Sequence, residues 1–173
     1  TYVNPGTKNM EIDIDDEFYV DKSLLVKVLN TKLNKKDRFI CVSRPRRFGK
    51  TMAANMIAAY YSKDCDSHDV FSDLKISKDS SFEENINKYT VIQLDMNDVV
   101  TNKEDNSITE YINKEVVSEL RKIYPSALPE ENVSLSKAIK EIFSLTGDQF
   151  VFVIDEYDVI IRDQKYSSEL DGY

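Results

Sequence analysis

The chain has 173 residues, of which 31 are acidic and 23 are basic, so its formal net charge is −8 at pH 7. This acidic balance argues against a protein that coats nucleic acid or an anionic membrane. With 41% apolar residues the chain can bury a core, which excludes global disorder, and its longest uncharged stretch of 12 residues is too short to span a bilayer. Two cysteines and no signal-peptide pattern at the visible start lead us to expect a cytoplasmic protein.

Three elements are predicted in the first third of the chain. The first is a short helix after Asp21, whose apolar face consists of Leu24, Leu25, Val28 and Leu29. Residues 38–43 then form an apolar run without alternation, which predicts a strand covered on both faces. After a loop, the apolar spacing predicts a buried helix over residues 50–61.

Strands and helices alternate in the rest of the chain. Residues 91–94 are a strand candidate, and Ser107 and Glu110 have the spacing of a capping box that opens an amphipathic helix. The next helix is predicted to end at Gly147, and the apolar residues 150–154 that follow are typical of a central parallel strand. The alternation predicts an α/β fold with a mostly parallel sheet, and without an internal linker or repeat we expect residues 1–173 to be a single domain.

The segment Arg44–Thr51 has the position and the ending of a phosphate-binding loop. It follows a predicted strand, precedes a predicted helix and closes with Gly-Lys-Thr. Gly49 allows a tight turn that points backbone amides at phosphate oxygens, Lys50 would bridge the β- and γ-phosphates, and the Thr51 hydroxyl would bind Mg²⁺. The residues predicted to bind nucleotide are Arg46, Arg47, Phe48, Gly49, Lys50 and Thr51.

The start of this loop departs from the usual motif. Arg44 stands where the first glycine is expected, and Pro45 favours an extended backbone before it, so the loop must begin without a positive-φ residue. Together with Lys50, the arginines at positions 44, 46 and 47 place four cations in seven residues. A triphosphate would meet that charge, although any one arginine could instead pair with a carboxylate such as Asp155 or Asp158.

A second motif complements the loop. The apolar strand at residues 150–154 ends in Asp155 and Glu156. Magnesium-dependent hydrolysis of a nucleoside triphosphate needs one carboxylate that holds the metal and another that activates water. We therefore predict Asp155 as a metal ligand together with Thr51, and Glu156, with Lys50, as the catalytic residues.

Four segments of the sequence resemble the predicted AAA-ATPase-like family of bacterial proteins: Phe18–Lys22, Cys41–Thr51, Ala53–Met56 and Ile154–Asp158. The resemblance implies a P-loop NTPase of the AAA/ASCE type, a three-layer sandwich, which here would be truncated after the Walker B strand. It also implies that Arg44 is a family trait. Family members often continue into a C-terminal nuclease-like domain of the PD-(D/E)XK type, so we expect a longer protein whose sensor and arginine-finger residues lie beyond Tyr173.

Three functions are compatible with these motifs. The leading hypothesis is an ATPase that uses ATP and Mg²⁺. The alternatives are a nucleotide-gated switch or interaction module with little hydrolysis, and a regulatory ATPase domain of a nuclease-containing protein. Nucleotide is the expected partner; we expect no membrane contact, and the acidic charge makes nucleic acid an unfavourable ligand for these residues alone. The oligomeric state does not follow from the sequence.

Overall fold

The structure, a computed structural model, describes residues 1–45, 47–104, 106–128 and 133–162, with the side chain of Arg162 left out. The chain divides into two compact units. One unit comprises residues 4–91, and the other comprises residues 1–3 with the chain from residue 92 onward. The expectation of a single domain remains a prediction.

Short helices build the unit of residues 4–91. They are α1 Lys8–Ile14, α2 Leu24–Asn30, α3 Lys50–Tyr61, α4 His68–Phe71 and α5 Phe82–Asn85, with a 3-10 helix at Lys75–Lys78. Helix α3 has the predicted bounds and packs against α1.

The buried core of this unit lies along the C-terminal half of α3. Tyr60 is fully buried, its ring makes edge contacts with the rings of Tyr61 and Phe71, and its hydroxyl donates to the Phe82 carbonyl at 2.9 Å. Burial of several aromatic rings is the main stabilising contribution expected in so small a core.

The predicted apolar face of α2 is wrong. Val26 is its buried residue, whereas Leu24 and Val28 are about half exposed. The helix has seven residues, so its face is determined by the few neighbours that it contacts and not by a long apolar stripe.

The second unit combines a small sheet with longer helices. Its elements are β1 Thr90–Asp95, which begins at the boundary of the units, α6 Met96–Asn102, α7 Ile108–Ile123, α8 Leu135–Thr146, β2 Phe150–Asp155 and α9 Val159–Arg162. Strands β1 and β2 pair in parallel, and the helices between them form the crossover. The protein is therefore α/β with a parallel two-stranded sheet in the described residues.

Local signals fix the ends of the two long helices. The Ser107 hydroxyl accepts from the Glu110 amide at 3.2 Å and the Glu110 carboxylate accepts from the Ser107 amide at 3.0 Å, which confirms the capping box at the start of α7. The hydrogen bond from the Ser107 amide also holds the pKa of Glu110 below its usual value. Gly147 ends α8 in the left-handed region with φ 76°, as predicted.

The core of the second unit lies between α7, α8 and the sheet. Its fully buried members include Ile92, Val116, Leu120, Ala138 and Ile142. This core supports β2, the strand that carries Asp155 at its end. The sequence predicts a central strand at β2, whereas in the described residues it pairs with β1 alone. One face of β2 is open, because Phe152 and Ile154 are about half exposed while the alternate residues Val153 and Asp155 are buried.

The expectation of a buried strand at residues 38–43 is also wrong. These residues have no strand geometry, and Phe39, Ile40 and Val42 are 84%, 45% and 43% exposed. An apolar run becomes a strand where neighbouring strands pair with its backbone. In the described part of the chain the sheet is made of β1 and β2, so this run lacks that support.

None of the helices in the described residues is long and apolar enough to cross a membrane.

Candidate functional site

The loop before α3 turns twice through the left-handed region. Arg47 has φ 66° and Gly49, the N-cap of α3, has φ 68°. Arg44 is not among the positive-φ residues, which confirms that the loop begins without one. Left-handed residues of this kind occur in backbone concavities that bind anions, so the loop is a candidate anion site. Arg46, a predicted nucleotide ligand, lies outside the described residues.

Lysine 50 folds back over the start of the loop. It is the first residue of α3, and its ammonium donates to the Arg44 carbonyl at 3.0 Å and to the Pro45 carbonyl at 3.4 Å. An ammonium has three N–H donors, so these two hydrogen bonds leave one donor for a ligand. Thr51 follows in the first turn of α3 and is exposed.

Positive charge accumulates at the N-terminus of α3. Lys22 joins Lys50 there, since its ammonium donates to the Phe48 carbonyl at 2.6 Å. Within the described residues of this unit, no carboxylate forms an ion pair with Lys22, Arg44, Arg47 or Lys50. A helix N-terminus already carries partial positive charge, so this arrangement is electrostatically unfavourable until an anion neutralises it.

The strand-end carboxylates lie in the other unit. Asp155 ends β2 and is 9% exposed, and its carboxylate accepts from the Glu156 amide at 2.9 Å. Glu156 has φ 51°, a left-handed conformation that costs a non-glycine residue about 1–3 kcal/mol and that clusters at functional positions. The Glu156 carbonyl accepts from the Val159 amide at 3.0 Å, at the start of α9.

Protein side chains alone do not make a metal centre in the part of the chain that the structure describes, since it contains no group of three or more His, Cys, Asp or Glu residues arranged to hold an ion. Magnesium in nucleotide sites is held by one or two protein oxygens together with phosphate oxygens and water. The hydroxyl of Thr51 and the carboxylate of Asp155 have the chemistry required of such ligands. A polyphosphate would likewise suit the loop, because its negative charge complements a helix N-terminus and cations that form no ion pair with a carboxylate of the same unit in the residues described.

Two features of the loop site escaped sequence reasoning. The positive φ of Arg47 has no local signal, because arginine does not favour that region. The contact of Lys22 with Phe48 joins residues 26 positions apart. The sequence gives one indication of this contact. Lys22 is the last residue of Phe18–Lys22, a segment that resembles the family but to which the resemblance assigns no function.

Comparison with known proteins identifies the family. A family model described as "Predicted AAA-ATPase" matches residues 6–171, nearly the whole chain. The chain belongs to this predicted AAA-ATPase family. The match includes both the Arg44–Thr51 loop and the strand-end pair Asp155 and Glu156, so membership of the AAA-ATPase-like family, predicted from the sequence, is confirmed. No curated protein and no solved structure matches the chain significantly.

Proposed function

We propose that the protein binds and hydrolyses ATP as a magnesium-dependent NTPase of the AAA/ASCE type, with the three-layer P-loop sandwich as the fold of the whole domain, in the cytoplasm. The observation that carries the proposal is the loop before α3. It turns through positive φ at Arg47 and Gly49 and presents cations at a helix N-terminus, which in the described part of its unit have no carboxylate partner. Membership of the predicted AAA-ATPase family supports the same activity.

The loop residues bind the triphosphate in this proposal. Amides of Phe48, Gly49, Lys50 and Thr51 donate to phosphate oxygens, and the arginines 46 and 47 add charge around them. Lys50 moves from the carbonyls of Arg44 and Pro45 to the β- and γ-phosphates. This movement keeps the ammonium hydrogen-bonded in both states.

The strand-end residues carry the remaining roles. Asp155 and the Thr51 hydroxyl would be the protein ligands of Mg²⁺, which would supply neutralisation of charge on the phosphates. Glu156 accepts a proton from the water that attacks the γ-phosphorus, so the P–O bond to ADP breaks as the new P–O bond forms.

Release of phosphate from MgATP by the full chain tests this proposal. We expect turnover by the unsubstituted protein and a loss of about 10²–10⁴-fold in Glu156→Gln, with ATP binding retained, because that variant loses the proton acceptor and keeps the phosphate loop. Lys8→Met, an exposed substitution on α1, is the control and should leave the rate unchanged. Absence of both binding and turnover with ATP and with GTP would overturn the proposal.

One observation favours a second candidate, a nucleotide-gated switch with little hydrolysis. The Lys50 ammonium spends two of its three donors on carbonyls at the start of the loop, and transfer of these donors to phosphate oxygens would release that part of the loop and provide a signal. The same assay separates the two candidates. Saturable ATP binding with equal, near-zero phosphate release by the unsubstituted protein and Glu156→Gln would favour the switch.

A further inference from the structure

Lys22 contacts the phosphate loop from a distant part of the sequence. Its ammonium donates to the Phe48 carbonyl at 2.6 Å, although its side chain is exposed and free to point into solvent. Lysine side chains lose considerable rotamer entropy when they are held in one place. A directed contact with a carbonyl of the loop therefore indicates a specific role for this residue.

The backbone around Lys22 is held on both sides. The Asp21 carboxylate accepts from the Ser23 amide at 2.8 Å and from the Lys75 amide at 2.9 Å. The hydroxyl of Ser23, which is fully buried, accepts from the Ile76 amide at 3.1 Å. Burial raises the pKa of Asp21, but these hydrogen bonds outweigh that effect and the net pKa lies below its ordinary value.

These hydrogen bonds hold the backbone from which the Lys22 side chain projects. Lys22 lies between Asp21 and Ser23, both anchored on the 3-10 helix at Lys75–Lys78. Its ammonium can thus support the loop, because hydrogen bonds of both neighbouring residues hold the backbone from which it projects.

The contact orients one peptide of the loop. In a trans peptide the carbonyl and the following amide point in opposite directions. Holding the Phe48 carbonyl toward Lys22 therefore directs the Gly49 amide to the opposite side. That amide is one of the donors that the proposed function assigns to phosphate.

Gly49 is fitted closely to Lys22. A methyl group added at Gly49 would lie 2.5 Å from the Lys22 ammonium, and the φ of 68° already disfavours any larger residue. Glycine at this position therefore allows both the turn of the loop and the approach of the ammonium to the Phe48 carbonyl.

We propose that Lys22 is a positioning residue of the nucleotide site, which fixes the Phe48–Gly49 peptide so that its amide faces the phosphates. The inference rests on the proposed nucleotide binding and extends the site to the segment Phe18–Lys22. Lys22 acts through the Phe48–Gly49 peptide, in addition to the positive charge that it brings to the N-terminus of α3.

Isothermal titration with MgATP on the full chain tests this role. We expect Lys22→Met, which keeps the length of the side chain and removes the donor, to bind MgATP at least about tenfold more weakly, since a hydrogen bond from a charged donor orients the loop. The melting temperature without nucleotide should stay within about 2 °C of the unsubstituted value, because the side chain is exposed. Lys22→Arg retains a cationic donor and should recover much of the affinity, whereas a purely structural role would not give this recovery.

Control variants keep this test separate from that of the proposed function. Lys8→Met removes the same charge from an exposed position on α1 and should bind normally. If the unsubstituted protein does not bind MgATP, the proposed function fails and this inference fails with it. A different result would contradict the role of Lys22 alone. In that case the unsubstituted protein binds MgATP, Lys50→Ala does not bind it, and Lys22→Met has the same affinity for MgATP as Lys8→Met. A large fall in melting temperature for Lys22→Met, without recovery in Lys22→Arg, would also overturn it in favour of a role in folding.

Discussion

The two motifs are supported in different ways. Asp155 ends β2, a strand that is paired with β1 and backed by the core of α7 and α8. The Arg44–Thr51 loop follows residues 38–43, which are exposed and have no strand geometry, and it is held instead by α3 and by Lys22. The carboxylate is thus positioned by the element before it, and the loop by the helix after it and by a distant side chain. We therefore expect substitutions in the α7–α8 core to leave the loop in place, and substitutions at Lys22 or Gly49 to leave β2 in place.

A large effect on stability is expected where the core supports β2. Leu120 is fully buried on α7, so Leu120→Ala should lower the free energy of unfolding by about 2–5 kcal/mol through lost burial and the cavity left behind. Urea denaturation followed by circular dichroism measures this change. A loss below about 1 kcal/mol would show that the α7–α8 core does not support the strand.

A smaller effect, confined to the loop support, is expected at Gly49. Gly49→Ala should cost about 1–2 kcal/mol of stability because its φ is 68°, and it should also weaken MgATP binding because the added methyl displaces Lys22. Gly6 is a matched control, since its φ is 75° and no atom lies within 4 Å of an added methyl. Gly6→Ala should lose similar stability and keep its affinity for MgATP. Equal affinities of the two variants for MgATP in isothermal titration would show that Gly49 does not support the loop through Lys22.

The exposed segment before the loop gives a still smaller expected effect. Phe39 is 84% exposed, so Phe39→Ala should change the free energy of unfolding by less than about 0.5 kcal/mol. Phe71, which is fully buried in the same unit, provides the contrast, with an expected loss of about 3–5 kcal/mol on substitution by alanine. Urea denaturation measures both changes. If Phe39→Ala lowers the free energy of unfolding as much as Phe71→Ala does, then residues 38–43 are buried as the sequence predicts.

The smallest effect is a pH dependence away from both motifs. The hydrogen bond to Asp66, followed by that to Glu83, raises the pKa of His68 above its ordinary value of 6.5. The protonated imidazole therefore stabilises the fold fully below pH 6.5, and this contribution is lost as the pH rises through the raised folded-state pKa.

Melting temperatures measured across that pH range check this effect. His68→Gln should remove the difference between the acidic and alkaline sides of the transition, while leaving MgATP affinity unchanged. If the melting temperatures of His68→Gln and of the unsubstituted protein depend on pH in the same way, then protonated His68 does not stabilise the fold.

Local signals account for what the sequence predicted well. The capping box at Ser107 and Glu110 and the glycine at 147 fix helix ends through hydrogen bonds within a few residues, so α7 and α8 were predictable. The apolar run of β2 was recognised for the same reason, because its composition favours a strand.

Non-local contacts account for what it missed. Residues 38–43 and 150–154 look alike as apolar runs, and composition does not say which of them finds a pairing partner. The buried face of α2 and the contact of Lys22 with the loop likewise depend on neighbours distant in the chain. In the candidate site, the roles of the residues remain predictions from the sequence, and only the structure shows what supports each residue.

The central claim is that the Arg44–Thr51 loop binds the phosphates of a nucleotide. The most direct measurement is the melting temperature of the full chain with and without millimolar MgATP, compared with Lys50→Ala and with the control Lys8→Met. The account predicts a ligand-dependent rise for the unsubstituted protein and Lys8→Met that is lost in Lys50→Ala, because a ligand that binds the folded state stabilises it. No rise with MgATP or MgGTP, or an equal rise in Lys50→Ala, would contradict it.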